Sequence, residues 1–116
     1  MRTKRFHHIF DLENCNGKIM NSDEIRKFVE KIAETIGMRI LAGPILAQGI
    51  EQNPGLSAVA IVDFSHISVH TFTNFNETLI DVFSCKEYDR ERVLQVCKEF
   101  FGTPATTVRQ NEVWWG

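Results

Sequence analysis

Ser65 heads the run Asp63-Phe64-Ser65-His66-Ile67-Ser68-Val69-His70-Thr71, with His70 five residues behind it. A serine hydroxyl can attack the carbonyl of the residue before it, here Phe64, and turn that peptide bond into an ester by an N-to-O acyl shift. A nearby base then removes the serine α-proton and expels the upstream chain, leaving dehydroalanine, which hydrolyses to a pyruvoyl group. On this reading the chain makes its own ketone cofactor. The plainer reading of Ser-His-x-x-x-His is a strand with polar residues along one face, so the rest of the chain has to decide.

A metal site is the competing chemistry for two histidines four apart. In an extended segment, residues four apart share a face but stand on the order of 13 Å from one another at about 3.3 Å per residue. His66 and His70 therefore do not share one ion unless the segment is helical, and its β-branched composition argues against a helix. By contrast, neighbouring strands leave Ser57 and Ser65 free to meet. His7 and His8 read as polar positions on an edge or interface.

Upstream of Ser65 lies Pro54-Gly55-Leu56-Ser57, downstream lies Asp81-Val82-Phe83-Ser84-Cys85, and His7 through Cys15 sits near the N-terminus. In order and spacing these segments resemble the S-adenosylmethionine decarboxylase proenzymes of bacterial and archaeal type, from His7 to about Phe101. The resemblance implies self-cleavage between Phe64 and Ser65 into a β chain (1–64) and an α chain (65–116), with a covalent pyruvoyl group derived from Ser65. It makes His70 the residue that assists the acyl shift and elimination, Ser57 its support, and Cys85 the proton donor in turnover. The pyruvoyl carbonyl of such enzymes forms a Schiff base with the substrate amine and withdraws the electrons released with carbon dioxide. A homodimer with residues of both chains at each site is also implied, as is a place in spermidine biosynthesis; the cytoplasmic location expected of the chain rests instead on its lack of an apolar run or secretory signal.

This sequence departs from the family pattern where the nucleoside would be read. Phe64 stands where glutamate usually precedes the cleavage serine, Asn74 replaces a carboxylate expected to hold ribose, and Glu51 takes the place of an adenine-stacking phenylalanine. Glu51, Phe72 and Asn74 are the candidate substrate-binding residues, with Phe64 and Phe72 able to offer aromatic surface. Two alternatives to S-adenosylmethionine decarboxylation follow. One is the same chemistry on ornithine or arginine, with Glu51 pairing the distal cation. The other is an uncleaved regulatory or structural homologue.

At 116 residues the chain fits one domain, large enough to bury about two-thirds of its unfolded surface without disulfides or metals. Thirteen basic against fifteen acidic residues give a net charge of −2, and Arg2, Lys4 and Arg5 form only a small basic cluster, which disfavours nucleic-acid binding. No apolar run suggests a membrane span, and no secretory signal is evident. Cys15, Cys85 and Cys97 form neither an even set nor a Cys-x-x-Cys pair, so free thiols are expected.

The elements that must position these residues follow from periodicity. Phe6 to Leu12 alternates as a strand and Asn14 to Lys18 reads as a loop. Asn21 or Ser22 caps a helix whose apolar positions Ile25, Phe28, Val29, Ile32, Ala33 and Ile36 keep helical spacing, with Gly37 as its left-handed stop. Arg39 to Ile50 has strand character and is bent or interrupted at Gly43-Pro44. Leu56 to Val62, Ile67 to Thr73 and Thr78 to Cys85 are three strands in succession, which favours antiparallel pairing. Asp89 caps a second helix carrying Val93, Leu94, Cys97, Phe100 and Phe101, and Ala105 to Arg109 suggests a last strand. Two one-faced helices are best laid on one side of the sheet, giving a two-layer α+β sandwich of order β-α-β-β-β-β-α-β. Trp114 and Trp115 read as a docked tail.

Overall fold

A computed structural model describes residues 4–115, with the backbone alone at 114 and 115. Six strands, β1 (Arg5–Glu13), β2 (Ile40–Ile50), β3 (Asn53–Val62), β4 (Ser65–Phe72), β5 (Glu77–Ser84) and β6 (Thr107–Trp115), form one sheet in the order β2-β3-β4-β5-β1-β6. Every neighbouring pair is antiparallel. Two helices, α1 (Ser22–Thr35) and α2 (Arg90–Phe101), complete the domain. The α+β class and the element order match the pattern of the sequence.

The helix boundaries have identifiable chemical causes. Asn21 Oδ1 accepts the Glu24 N–H and starts α1; Asp89 Oδ1 accepts the N–H groups of Glu91 and Arg92 and starts α2. Helix α1 stops in a Schellman turn. Gly37 takes φ +70°, its N–H reaches Glu34 O, and Met38 N–H reaches Ala33 O. Alternation along each strand then makes one sheet face apolar. Phe10, Leu12, Ala58, Ala60, Ile67, Val69, Ile80 and Val82 bury against Ile25, Phe28, Val29, Ile32, Val93, Cys97 and Phe101 of the helices. The Phe28 and Phe101 rings, 4.6 Å between centroids, join α1 to α2. Each Val, Leu, Ile or Phe among them contributes about 1.5–3 kcal/mol by leaving water.

Four local expectations need correction. The segment after β1 is a 3-10 turn, Gly17–Met20, rather than a plain loop, because Asn16 Oδ1 caps it at Lys18 N–H. The last strand runs to Trp115, since its whole length finds β1 as an antiparallel partner. Strand β1 is interior, between β5 and β6, so His7 and His8 are not on an edge and His8 is buried. Strand β2 is not interrupted at Gly43-Pro44 but runs through it with a register shift against β3. The backbone of Trp114 and Trp115 pairs with Phe6 and Arg5; the packing expected of their side chains lies outside the described residues. Neither helix is long and apolar enough to cross a membrane.

The face of the sheet away from the helices remains open. It carries Ser57, Val59 and Ile61 of β3, His66, Ser68, His70 and Phe72 of β4, and Leu79, Asp81 and Phe83 of β5, all exposed or half-buried.

Candidate active site

A two-residue turn, Asp63-Phe64, joins β3 to β4 and pairs Val62 with Ser65. Ser65 begins β4 with φ +152°, a conformation side-chain-bearing residues rarely adopt. Such backbone costs on the order of 1–3 kcal/mol and persists only where its surroundings enforce it. The enforcement comes from β5, which pairs Ser84 with Ser65 and places the Cys85 N–H 3.0 Å from the Phe64 carbonyl oxygen. The carbonyl that Ser65 would attack is thus already polarised by a backbone donor. Cys85 itself carries an exposed thiol.

Ser57 and His70 form a second group. They are direct partners across β3 and β4, and Ser57 Oγ meets His70 Nδ1 at 2.8 Å on the open face. Gly55 makes this approach possible, since a Cβ there would stand 1.8 Å from Thr71 O. With no side chain in the way, Leu56 N–H reaches the buried Thr71 Oγ1 at 2.8 Å and locks the register next to Ser57. The Pro54-Gly55-Leu56-Ser57 run is thereby explained as a device that holds Ser57 against His70.

The structure does not bring Ser57 to Ser65. Ser57 faces His70, while Ser65 lies five residues back along β4, about 16 Å away at the usual strand rise. His70 and Ser65 are therefore apart within one chain. Glu51, in the β2–β3 turn, and Asn74, in the β4–β5 turn, are exposed at the end of the sheet opposite Ser65 and Cys85, and Phe72 is half-buried beside them at the end of β4. The chain brings together Phe64, Ser65 and Cys85 at one end, and Ser57 with His70 nearer the other.

Two features escaped the sequence reading. The Cys85 N–H is a backbone group and leaves no mark in composition. The open face also holds a cluster in which His7 Nε2 contacts Asp81 Oδ1 at 2.8 Å, His66 Nε2 lies 4.0 Å from the same oxygen, and His66 stacks on Phe83 at 5.5 Å. The β1–β5 register, with His7 opposite Phe83 and Ile9 opposite Asp81, brings His7 and Asp81 to this face. Among the described residues, no three His, Cys, Asp or Glu side chains gather closely enough to hold a metal. The buried thiols differ from Cys85. Burial pushes the pKa of Cys97 far upward and that of Cys15 upward, as expected of inert core thiols.

Comparison with known proteins places this geometry in a family. An arginine decarboxylase proenzyme of Caldivirga maquilingensis is 33% identical over 85 residues, covering 72% of this chain and 63% of that protein, so the match spans less than two-thirds of that relative. An S-adenosylmethionine decarboxylase proenzyme of Clostridium botulinum is 28% identical over 101 residues, covering 85% of this chain and 84% of that one. One from Thermococcus onnurineus is 32% identical over 87 residues, covering 73% and 59%. In fold, the adenosylmethionine decarboxylase of Aquifex aeolicus superposes with a TM-score of 0.75 at 20% identity, covering 96% of this chain and 91% of that one. The S-adenosylmethionine decarboxylase family model matches residues 6–112, and the chain belongs to that family.

Proposed function

We propose that this protein is a decarboxylase proenzyme that cleaves itself between Phe64 and Ser65 and carries a pyruvoyl group at residue 65. The observation that carries the reading is the 3.0 Å hydrogen bond from Cys85 N–H to the Phe64 carbonyl, beside a Ser65 in strained backbone. In the acyl shift, Ser65 Oγ bonds to the Phe64 carbonyl carbon and its proton passes to a base. The negative charge that builds on the Phe64 oxygen meets the Cys85 N–H, a preorganised donor of a kind worth about 10²–10³ in rate. The C–N bond then breaks as the Ser65 nitrogen takes a proton, leaving an ester and a free amine and relieving the strain at Ser65. Removal of the Ser65 α-proton expels the Phe64 carboxylate, and the resulting enamine takes up water and loses ammonia to give the ketone.

The base in this scheme is His70, held by Ser57. Within one chain it is about five strand residues from Ser65, so the reading includes a homodimer in which a second copy lies open face to open face and supplies its own Ser57 and His70. Val59 and Ile61, 42% and 53% exposed on that face, give such a contact apolar area.

Once formed, the pyruvoyl group supplies a ketone for the substrate amine and an electron sink for decarboxylation. The exposed Cys85 thiol adjoins residue 65 through the Ser65–Ser84 pairing and serves as proton donor to the substrate carbon. S-adenosylmethionine is the first substrate, with spermidine synthesis in the cytoplasm as its setting. Arginine is a second reading, favoured by two features together: the similarity to an arginine decarboxylase proenzyme, and Glu51 and Asn74 at positions where adenine and ribose would be read.

Intact mass of the purified protein tests the reading. Fragments 1–64 and 65–116, the second beginning with a ketone, are expected, and Ser65→Ala should stay one chain. A wild-type protein that remains whole after prolonged incubation overturns it in favour of an uncleaved regulatory homologue.

A further inference from the structure

Residue 64 is held at two points. Its carbonyl accepts the Cys85 N–H, and its ring, 37% exposed, lies under the Lys86 ammonium at 5.2 Å from the centroid. Lys86 is itself anchored. Fully buried Ser84 accepts the Lys86 N–H at 2.8 Å and donates to the Lys86 carbonyl at 2.7 Å, closing a tight loop around Cys85. The ammonium also approaches the end of α1, standing 4.0 Å from where a Cβ on Gly37 would be. Helix α1 has no basic residue in its last turn, so Lys86 brings positive charge to the end where carbonyls accumulate partial negative charge.

We propose that Lys86 is a positioning residue for self-cleavage: by holding the Phe64 ring under its ammonium, it helps fix the scissile carbonyl on the Cys85 N–H. The inference rests on the reading of Phe64–Ser65 as the cleaved bond. Rotation about the Phe64 backbone would swing the carbonyl away from its donor, and the ring contact opposes that rotation. Cation and carbonyl donor sit on adjacent residues of one loop closed by Ser84, so holding the ring also holds the oxygen. Phe64 in this position is then a working part of the site. After cleavage the same contact joins the last residue of the 1–64 fragment to the 65–116 fragment.

The test is the rate of cleavage of freshly made precursor, followed by intact mass with and without hydroxylamine, which traps the ester. Lys86→Met keeps the stem and removes the charge; Phe64→Leu keeps bulk and removes the ring. Each should slow ester formation about two- to fivefold, the rate equivalent of an exposed cation–π contact. The double variant should be no slower than either single, because both remove one contact. Lys86→Arg and Phe64→Tyr should cleave at the wild-type rate, a rescue that a general loss of stability would not give. If wild type cleaves and Lys86→Met cleaves equally fast, or if the two single effects multiply in the double variant, the positioning role is wrong while self-cleavage stands. A wild type that never cleaves overturns both.

Discussion

Ser57 Oγ and His70 Nδ1 are 2.8 Å apart across β3 and β4, yet Ser65 lies five residues from His70 on the same strand. The pair that would remove protons and the bond that would be cleaved therefore belong to different parts of one protomer. If His70 acts on a second copy, two inactive variants must complement. Ser65→Ala keeps its His70, and His70→Ala keeps its cleavage bond. Each alone should remain whole, whereas co-expression should cleave the His70→Ala chain only, to about half if dimers form at random. Differently tagged chains resolved by mass check this. Cleavage of the His70→Ala chain without its partner would remove His70 from processing.

Ser57→Ala should weaken the same step less severely. It deletes one hydrogen bond to His70 and leaves the ring, so the loss is about 1 kcal/mol, or roughly fivefold in cleavage rate. A Ser57→Thr variant, which keeps a hydroxyl, separates loss of the bond from loss of fit.

The two-layer architecture was legible because its causes are local: helical spacing with Asn21 and Asp89 caps, the Gly37 stop, and alternation in β1, β4 and β5. The Ser57–His70 pairing agrees with the supporting place that the resemblance gives Ser57, and the register explains it. A two-residue turn at Asp63-Phe64 pairs Val62 with Ser65, and that register carries Ser57 to His70. Strand length alone, without the turn, left Ser57 free to be imagined beside Ser65. The order of the sheet was not legible. Placing β1 between β5 and β6 depends on long-range pairing, so nothing within β1 told its interior histidines from edge ones. Backbone donors such as Cys85 N–H leave no trace in side-chain identity.

In the proposed mechanism Cys85 offers its N–H to processing and its thiol to turnover, and these roles separate by mutation. Cys85→Ala keeps the N–H, so cleavage should proceed near the wild-type rate while decarboxylation falls by about 10²–10⁴, the range for losing a positioned acid. Misprotonation would appear as loss of the ketone mass on incubation with substrate. Cys97→Ala should leave activity per folded molecule unchanged and cost on the order of 1 kcal/mol of stability, since that side chain is buried in the core. Equal turnover by Cys85→Ala and wild type would take the thiol out of the mechanism.

Acid stability has a specific contributor between β1 and β6. Tyr88 Oη donates to Val82 O at 3.0 Å and meets His8 Nδ1 at 2.7 Å, while His8 Nε2 lies 3.1 Å from Glu112 Oε1. The nearby His8, and then Arg90, hold the Glu112 carboxyl below its ordinary pKa. A carboxylate lowered in the folded state stabilises the fold above its unfolded pKa and loses that contribution as pH falls through the folded value. Glu112→Gln should therefore unfold at lower denaturant than wild type at neutral pH and converge with it in acid. Urea midpoints across that range decide the point; a constant gap at all pH values would show that the carboxyl does not contribute by its charge.

The proposed substrate readings differ at Glu51 and Asn74, both exposed at the end of the sheet away from Ser65. In the proposed face-to-face dimer that end of one copy would approach Ser65 of the other, so these side chains would meet the far end of a substrate whose amine is bound at residue 65. S-adenosylmethionine presents an adenine to stack and ribose hydroxyls that favour a carboxylate, and Phe72 with Phe64 offers the stacking surface. Asn74 bonds ribose more weakly than a carboxylate would, and Glu51 does not stack. Arginine or ornithine needs only an acid for its distal cation, which Glu51 supplies. Carbon dioxide release from each compound by cleaved protein is the direct measurement. If S-adenosylmethionine is the substrate, it alone should turn over, and Glu51→Gln should change its kcat/KM little. If arginine or ornithine turns over instead, Glu51→Gln should lower kcat/KM by about ten- to a hundredfold, the cost of removing a hydrogen bond to a charged group.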